Sequence, residues 1–293
     1  MEYQSPDEQG AGALCTNCAA LLVGPWCSQC GQPQSSSDPT WHDLVHDTIH
    51  EFLHLDGKIF ATARRLFLEP GELTAEHIRG RRVRYIGALR LYLTTSLIFF
   101  GLSAVIPNPN PDANPPVAQG SSGPQSDAPE ENQTKATASS GTGMRGRVAE
   151  GIRRAREHEE EINETLSHTF QRMLFAMVPV FALLLKLVYR NRRRHYPQFL
   201  YFALHFHAAV FGFLAVTVPL QALTHEGPEK VAQAAVLVGS FVYLVAALKR
   251  VFGGTMRRTV LRASAVTAAY LALLLAMTGI VILLTFYRLG SAA

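Results

Sequence analysis

The chain has 293 residues, of which 48% are hydrophobic and 17% are charged, and its formal net charge is +4. The apolar residues are gathered into long runs that are nearly free of charge, and the mean hydropathy of +0.09 stays near neutral only because polar segments separate these runs. This distribution excludes an ordinary soluble domain, in which apolar residues are spread along the chain, and it favours an integral membrane protein.

Four cysteines lie close together ahead of the first apolar run. They follow the spacing C-x2-C-x8-C-x2-C, at Cys15, Cys18, Cys27 and Cys30. This pattern is typical of two knuckles that hold zinc in a tetrahedral cage of thiolates, and a cage of four thiolates makes the metal structural. The alternative is a pair of disulfides, which a cytosolic location would disfavour. We therefore predict a miniature zinc ribbon over residues 15–32, after a disordered N-terminus at 1–14.

Residues 41–87 have apolar side chains at helical spacing and predict cytosolic amphipathic and juxtamembrane helices. Within this segment His46 and His50 share one helix face with Asp43 and Asp47, on the side away from the apolar stripe. Two imidazoles and two carboxylates could bind a second, divalent metal or take part in a proton-linked process. The alternative is an ordinary polar face in contact with solvent or with the membrane surface.

Five apolar segments approach or exceed the roughly 20 residues of helix that cross a hydrocarbon core of about 30 Å. These segments are 88–106, 170–189, 199–220, 233–249 and 264–287. Residues 107–143, rich in Pro, Ser and Gly, predict a disordered external linker, and residues 144–169 predict a charged external helix. The expected fold class is an all-α membrane protein with about five transmembrane helices, an N-terminal zinc ribbon and an amphipathic interfacial helix.

The basic residues favour one orientation of these spans. Clusters of arginine and lysine precede the first span and lie at 190–194 and 249–262, so all three would face the same side. The excess of positive charge on cytoplasmic loops favours an N-terminus in the cytosol and a C-terminus outside. A cluster at 145–156 opposes this orientation, but glutamates are interleaved with it and its loop is long enough to be translocated. The arginines expected to contact anionic lipid head groups are Arg81, Arg82 and Arg84.

His205 and His207 lie inside the third predicted span, where an ionisable residue is a candidate for a functional role. Residues i and i+2 of a regular helix point about 200° apart, so the two imidazoles cannot bind one ion together. The alternative is a neutral imidazole that is hydrogen-bonded to a neighbouring helix.

Several short motifs follow one another along nearly the whole chain, apart from the linker. They are Cys27-Ser28-Gln29-Cys30-Gly31-Gln32, His46-Asp47, His50-Glu51-Phe52, Leu55-Asp56-Gly57-Lys58, Pro70-Gly71, Gly80-Arg81-Arg82-Val83-Arg84-Tyr85 and Phe202-Ala203-Leu204-His205-Phe206-His207. Their order resembles a family of bacterial integral-membrane proteins of unknown function, whose members join a cysteine ribbon to a multispan region. The sequence departs from this pattern at Ala19, where a glycine normally follows the first knuckle. The resemblance implies an architecture and a location in the bacterial inner membrane, and it implies no activity.

The function expected from these features is that of a non-enzymatic scaffold, sensor or regulator. Its cofactor would be structural zinc, and the ribbon would dock a cytosolic or membrane protein; membrane lipid is a further partner, and nucleic acid is not expected. No Asp or Glu lies inside the five spans, so the carboxylate relay of an ion-coupled transporter is missing. Two alternatives stay open: a small-solute or metal-ion transporter that uses the membrane histidines, and a membrane-embedded metalloenzyme that uses the His/Asp site.

Overall fold

The structure, a computed structural model, describes residues 13–33, 58–106, 146–148, 159–190, 194–223 and 229–291. Its named helices are α1 (Lys58–Leu68), α2 (Glu72–Ile78), α3 (Ala88–Val105), α4 (Glu159–Val188), α5 (Tyr196–Leu223), α6 (Glu229–Phe252) and α7 (Met256–Ser291). Residues 13–33 instead form turns joined by two isolated antiparallel bridges, Leu14–Leu21 and Trp26–Pro33. The all-α fold class is confirmed for this part of the chain.

Four of the helices are long and apolar enough to cross a membrane. Their candidate spans are Ala88–Val105, Tyr196–Leu220, Val231–Phe252 and Met256–Arg288. They coincide with four of the five segments predicted from the sequence and are consistent with a multi-pass membrane protein. The remaining segment, 170–189, overlaps the C-terminal part of α4, which is not one of the four, so this span stays a prediction.

The described residues up to 102 and between 178 and 270 belong to one compact unit, in which α2 packs against α5 and α6. The hydroxyl of Tyr243 on α6 donates a hydrogen bond to the carbonyl oxygen of Leu66, at 2.7 Å. In α5, 67% of an apolar stretch of 18 residues is buried, which is the largest share among the four candidate spans. α5 is therefore the central helix against which the short helices α1 and α2 are fixed.

Gly71, which precedes α2, explains how closely that helix approaches α6. Its φ of +79° belongs to the left-handed region, and an added Cβ would lie 2.8 Å from the carbonyl oxygen of Ala247. Any side chain at this position would push α2 away from α6.

The described residues between 103 and 177 and from 271 onwards belong to a second unit. Within it, the hydroxyl of Thr278 lies 4.0 Å from the sulfur of Met173, and Arg147 donates a hydrogen bond to the hydroxyl of Tyr287 at 2.8 Å. An apolar stretch of 18 residues within α7 contains no buried residue. An apolar helix with that exposure is the kind that faces lipid.

Candidate metal centre

The four cysteines lie on two backbone turns with the same geometry, twelve residues apart. In the first turn the N–H of Ala19 donates to the carbonyl oxygen of Cys15, and in the second the N–H of Gly31 donates to that of Cys27, both at 2.8 Å. The turns are closed by N–H donation from Cys15 to Ala20 and from Cys27 to Gln32. Each turn therefore presents its two sulfur atoms on one side, towards the other turn.

The sulfur atoms have the spacing of a tetrahedral metal site. The Sγ atoms of Cys15 and Cys30 are 3.6 Å apart, those of Cys18 and Cys27 are 3.4 Å apart, and all four lie within 4.8 Å of one another. Zn–S bonds of about 2.3 Å in a tetrahedron imply S–S edges of about 3.8 Å. A disulfide would instead bring two sulfur atoms to about 2.0 Å, and the four cysteines are free. The cysteines predicted as ligands are thus clustered in metal-binding geometry.

N–H donors favour the metal-binding thiolate form of Cys27 and Cys30, whereas at Cys18 hydrogen bonds with the other sulfur atoms outweigh the N–H of Ala20 and raise the pKa. A hydrogen bond from Asn17, together with the backbone N–H of Gln32, lowers the pKa of Cys30 to about 6. Backbone N–H groups of Cys30 and Gln29 lower the pKa of Cys27. These donors stabilise negative charge on sulfur before any cation is counted.

Ala19 occupies the position at which the second turn has a glycine. The φ of Ala19 is +61° and that of the equivalent Gly31 is +71°. Both turns therefore need left-handed backbone after their second cysteine, which costs a residue with a Cβ about 1 kcal/mol or more. The alanine that replaces the usual glycine after the first knuckle is therefore strained in the folded turn.

The ribbon is attached to the loop between α2 and α3 by the side chain of Gln32. Its Nε2 donates hydrogen bonds to the carbonyl oxygen of Gly80 (2.7 Å) and to Thr16 Oγ1 (2.8 Å), and its Oε1 accepts one from the N–H of Arg82 (3.2 Å). The hydroxyl of Thr16 donates to the same Gly80 oxygen at 3.1 Å. We call this set of contacts, made by Thr16 and Gln32 with Gly80 and Arg82, the clasp.

Gln32 and Thr16 were not among the residues singled out from the sequence. Gln32 is only 7% exposed, and a buried amide has to find partners for its polar atoms. The one signal in the sequence was its place in the motif Cys27-Ser28-Gln29-Cys30-Gly31-Gln32. That motif does not indicate which backbone the amide binds.

The other side of the same loop is fixed by Glu76, which is 3% exposed. Its carboxylate accepts from Arg79 Nη1 at 2.7 Å and lies 3.2 Å from Arg81 Nη1. Burial acts to raise the pKa of Glu76, but the hydrogen bonds from both arginines outweigh it and hold that pKa below its usual value. Arg81 thus has a protein partner, while the lipid contacts expected of Arg81, Arg82 and Arg84 stay predictions.

His205 and His207 point to different helices, as their spacing predicted. His205 Nδ1 lies 3.0 Å from Thr74 Oγ1 on α2. His207 Nδ1 lies 2.8 Å from the carbonyl oxygen of Ala203, and its Nε2 lies 3.0 Å from the hydroxyl of Tyr270 on α7. Because a carbonyl oxygen only accepts, Nδ1 of His207 carries the proton and Nε2 accepts from Tyr270. The two imidazoles are held apart, each in its own hydrogen bond.

The second predicted cluster lies outside the described residues. Its members are Asp43, His46, Asp47 and His50. Among the residues that the structure does describe, the four cysteines are the one group of three or more ligand side chains close enough to hold a metal ion.

A comparison with known proteins matches residues 56–100 to the family described as "Protein of unknown function (DUF3667)". The match includes α1, α2, the loop that the clasp holds and most of α3. No curated protein matches the chain. No solved structure matches it.

Proposed function

We propose that this protein is a non-enzymatic, membrane-anchored scaffold or regulator whose zinc ribbon docks a protein partner. The observation that carries the proposal is the clasp, because it joins the metal cluster to the loop that leads into the first candidate span. A partner bound to the ribbon would thereby act on backbone that continues into the membrane region. Loss of the metal would act on the same backbone.

Zinc is the metal that fits this site best. Four thiolate ligands suit a borderline-soft ion and complete its tetrahedral shell. The ribbon core consists of Cys15, Leu22 and Cys27, with Ala20 and Cys30 packed against it. So small a core does not fold by burial alone, and the metal would supply the missing stability.

The outer surface of the ribbon supports docking of a protein. Its side chains Leu14, Leu21, Val23 and Trp26 are 63%, 56%, 85% and 59% exposed. Residues 13–33 contain no charged side chain, and Zn²⁺ with four thiolates has a net charge of −2. An anionic membrane surface attracts basic segments, and the ribbon has no basic side chain. Its exposed apolar face therefore suits an apolar patch on a protein. Exposed tryptophan is also enriched among the residues that dominate protein interfaces.

We place the protein in a bacterial inner membrane, with the N-terminus in the cytosol and the C-terminus outside. The arginine and lysine clusters support this orientation through the positive-inside rule. A reducing cytosol also keeps the cysteines available as metal ligands.

The two alternative functions have less support. For a transporter, His205 and His207 would line a route, but both are buried and hydrogen-bonded to Thr74 and Tyr270. For a metalloenzyme, the His/Asp site falls in a part of the chain that the structure leaves undescribed. No described contact favours either one over the scaffold.

Metal analysis of the purified full-length protein tests the metal part of the proposal. We expect about one zinc per chain, lost in Cys27→Ser and retained in the double variant His46→Ala/His50→Ala. Purified protein that contains no zinc would overturn the proposal that the ribbon is a zinc site. A second metal that is lost only in the histidine variant would favour the metalloenzyme.

Site-specific photo-cross-linking in native membranes tests docking. A photoreactive residue at Val23 should give one discrete protein adduct, which disappears in Cys27→Ser. The matched control is the same probe at Leu68, which is 71% exposed on α1 and outside the ribbon. Adducts to lipid alone, or the same adducts from both positions, would contradict partner docking through the ribbon.

A further inference from the structure

A basic cleft lies between α1 and the start of α3, away from the ribbon. Its volume is about 410 Å³, and it is lined by Lys58, Ala61, Arg64, Arg65, Arg84 and Tyr85. Four of these six residues are cations and none is acidic. The size falls within the range of about 300–1,000 Å³ that small-molecule sites occupy. We propose that this cleft binds the phosphate of an anionic lipid head group, a site that goes beyond the proposed function.

The arginines of the cleft are oriented around one aromatic ring. The guanidinium carbons of Arg65 and Arg84 lie 5.5 and 5.9 Å from the centroid of the Tyr85 ring. Arg65 also has long ion pairs with Glu69 (3.7 Å) and Glu72 (4.0 Å). Arg65 is therefore partly neutralised, and the phosphate is attracted chiefly by Arg64 and Arg84.

The position of the cleft favours a lipid over a free phosphate. Tyr85 stands three residues before Ala88, where the first candidate span begins. On α1, Phe60 and Leu68 stand four residues to either side of Arg64, and they are 82% and 71% exposed. Residues at this spacing lie on one side of a helix. An acyl chain could therefore lie along these apolar side chains while its phosphate contacts Arg64.

Native mass spectrometry of the full chain in neutral detergent tests the site, with phosphatidylglycerol and phosphatidylcholine as the two probes. We expect one retained phosphatidylglycerol and a much weaker adduct with phosphatidylcholine. The double variant Arg64→Gln/Arg84→Gln should weaken phosphatidylglycerol binding about 30-fold, because each basic side chain near a membrane contributes about fivefold. Both residues are exposed, and an unchanged melting temperature would establish that the variant is folded.

The matched control removes the same charge elsewhere. Arg257 and Arg258 are exposed at the start of α7, and Arg257→Gln/Arg258→Gln should change binding less than about twofold if the site is specific. Equal losses in both double variants would overturn the proposal in favour of general attraction.

Inorganic pyrophosphate, added without lipid, distinguishes the two sources of phosphate. We expect no stable adduct with pyrophosphate, and we expect Phe60→Ser/Leu68→Ser to weaken phosphatidylglycerol binding. The lipid would be ruled out as the occupant if pyrophosphate bound as tightly as phosphatidylglycerol. It would also be ruled out if Phe60→Ser/Leu68→Ser left the affinity for phosphatidylglycerol unchanged.

Discussion

Replacing Gln32 by alanine tests the clasp by removing its central side chain. The change deletes two hydrogen bonds from Nε2 and one to Oε1. It leaves the sulfur cluster and the backbone turns intact, because Cys27 bonds to the main-chain oxygen of residue 32. We therefore expect the ribbon to detach from the loop without unfolding.

The magnitude follows from the contacts that are lost. Each hydrogen bond contributes about 0.5–1.5 kcal/mol net, and the Gly80 oxygen keeps the Thr16 donor, so the docked state should lose about 2 kcal/mol. That loss corresponds to about a 30-fold shift towards the undocked ribbon. The N–H of Arg82, which donates to Gln32, reports this opening directly.

Hydrogen exchange in lipid nanodiscs is the assay. In Gln32→Ala, exchange at Arg82 should become about 30-fold faster, since an amide exchanges through local opening. The N–H of Arg81, which bonds to the Glu76 carbonyl oxygen, should be nearly unaffected. Gln29→Ala is the control, because Gln29 is exposed in the same turn. Equal Arg82 exchange in the two variants would refute the clasp as an energetic contact.

Three further changes probe the ribbon, the loop and the core. Ala19→Gly should tighten zinc binding by up to about 1 kcal/mol, because glycine adopts the φ of +61° without strain. Ala20→Gly is the control and should give no gain. A competitive zinc titration that finds equal affinities for the two variants would count against strain at Ala19. Glu76→Gln should lower stability by about 1–2 kcal/mol, a modest value because Arg79 and Arg81 are 55% and 43% exposed and water screens them. Because the pKa of Glu76 in the folded protein lies below its ordinary value of 4.5, the carboxylate's contribution is fully present above pH 4.5 and is lost as the pH falls through the folded pKa. Thermal melts at several pH values should show this acid-sensitive component in the native chain and its absence in Glu76→Gln. Gly212→Ala should destabilise the folded protein by about 1–3 kcal/mol, since the added Cβ would lie 2.6 Å from Phe67 Cε1. Gly239→Ala is the control, because a Cβ there meets nothing within 4 Å. Equal melting temperatures for the two variants would disprove the tight α1–α5 contact.

The sequence could predict the parts of the fold that depend on one local property. A run of about 20 apolar residues is long enough to span a bilayer wherever it occurs, and four of the predicted spans coincide with α3, α5, α6 and α7. The cysteine spacing likewise brings four sulfur atoms together, because each pair needs only one short turn.

The clasp could not be predicted in this way. Gln32 lies 48 residues from Gly80, and Thr16 lies 64 residues from it, so no periodicity or local spacing links them. Each of these contacts depends on how the ribbon packs against the α2–α3 loop. Charge alone also does not reveal that Arg81 pairs with the buried carboxylate of Glu76, five residues earlier.

The most direct test of the account is hydrogen exchange over residues 79–84 before and after removal of zinc by a chelator, in the full-length protein in nanodiscs. Zinc loss should speed exchange at Arg82 to the level seen in Gln32→Ala, while exchange in the centre of α5 should stay unchanged. Complete loss of zinc with no change over residues 79–84 would contradict the claim that the metal cluster organises the entry to the first span.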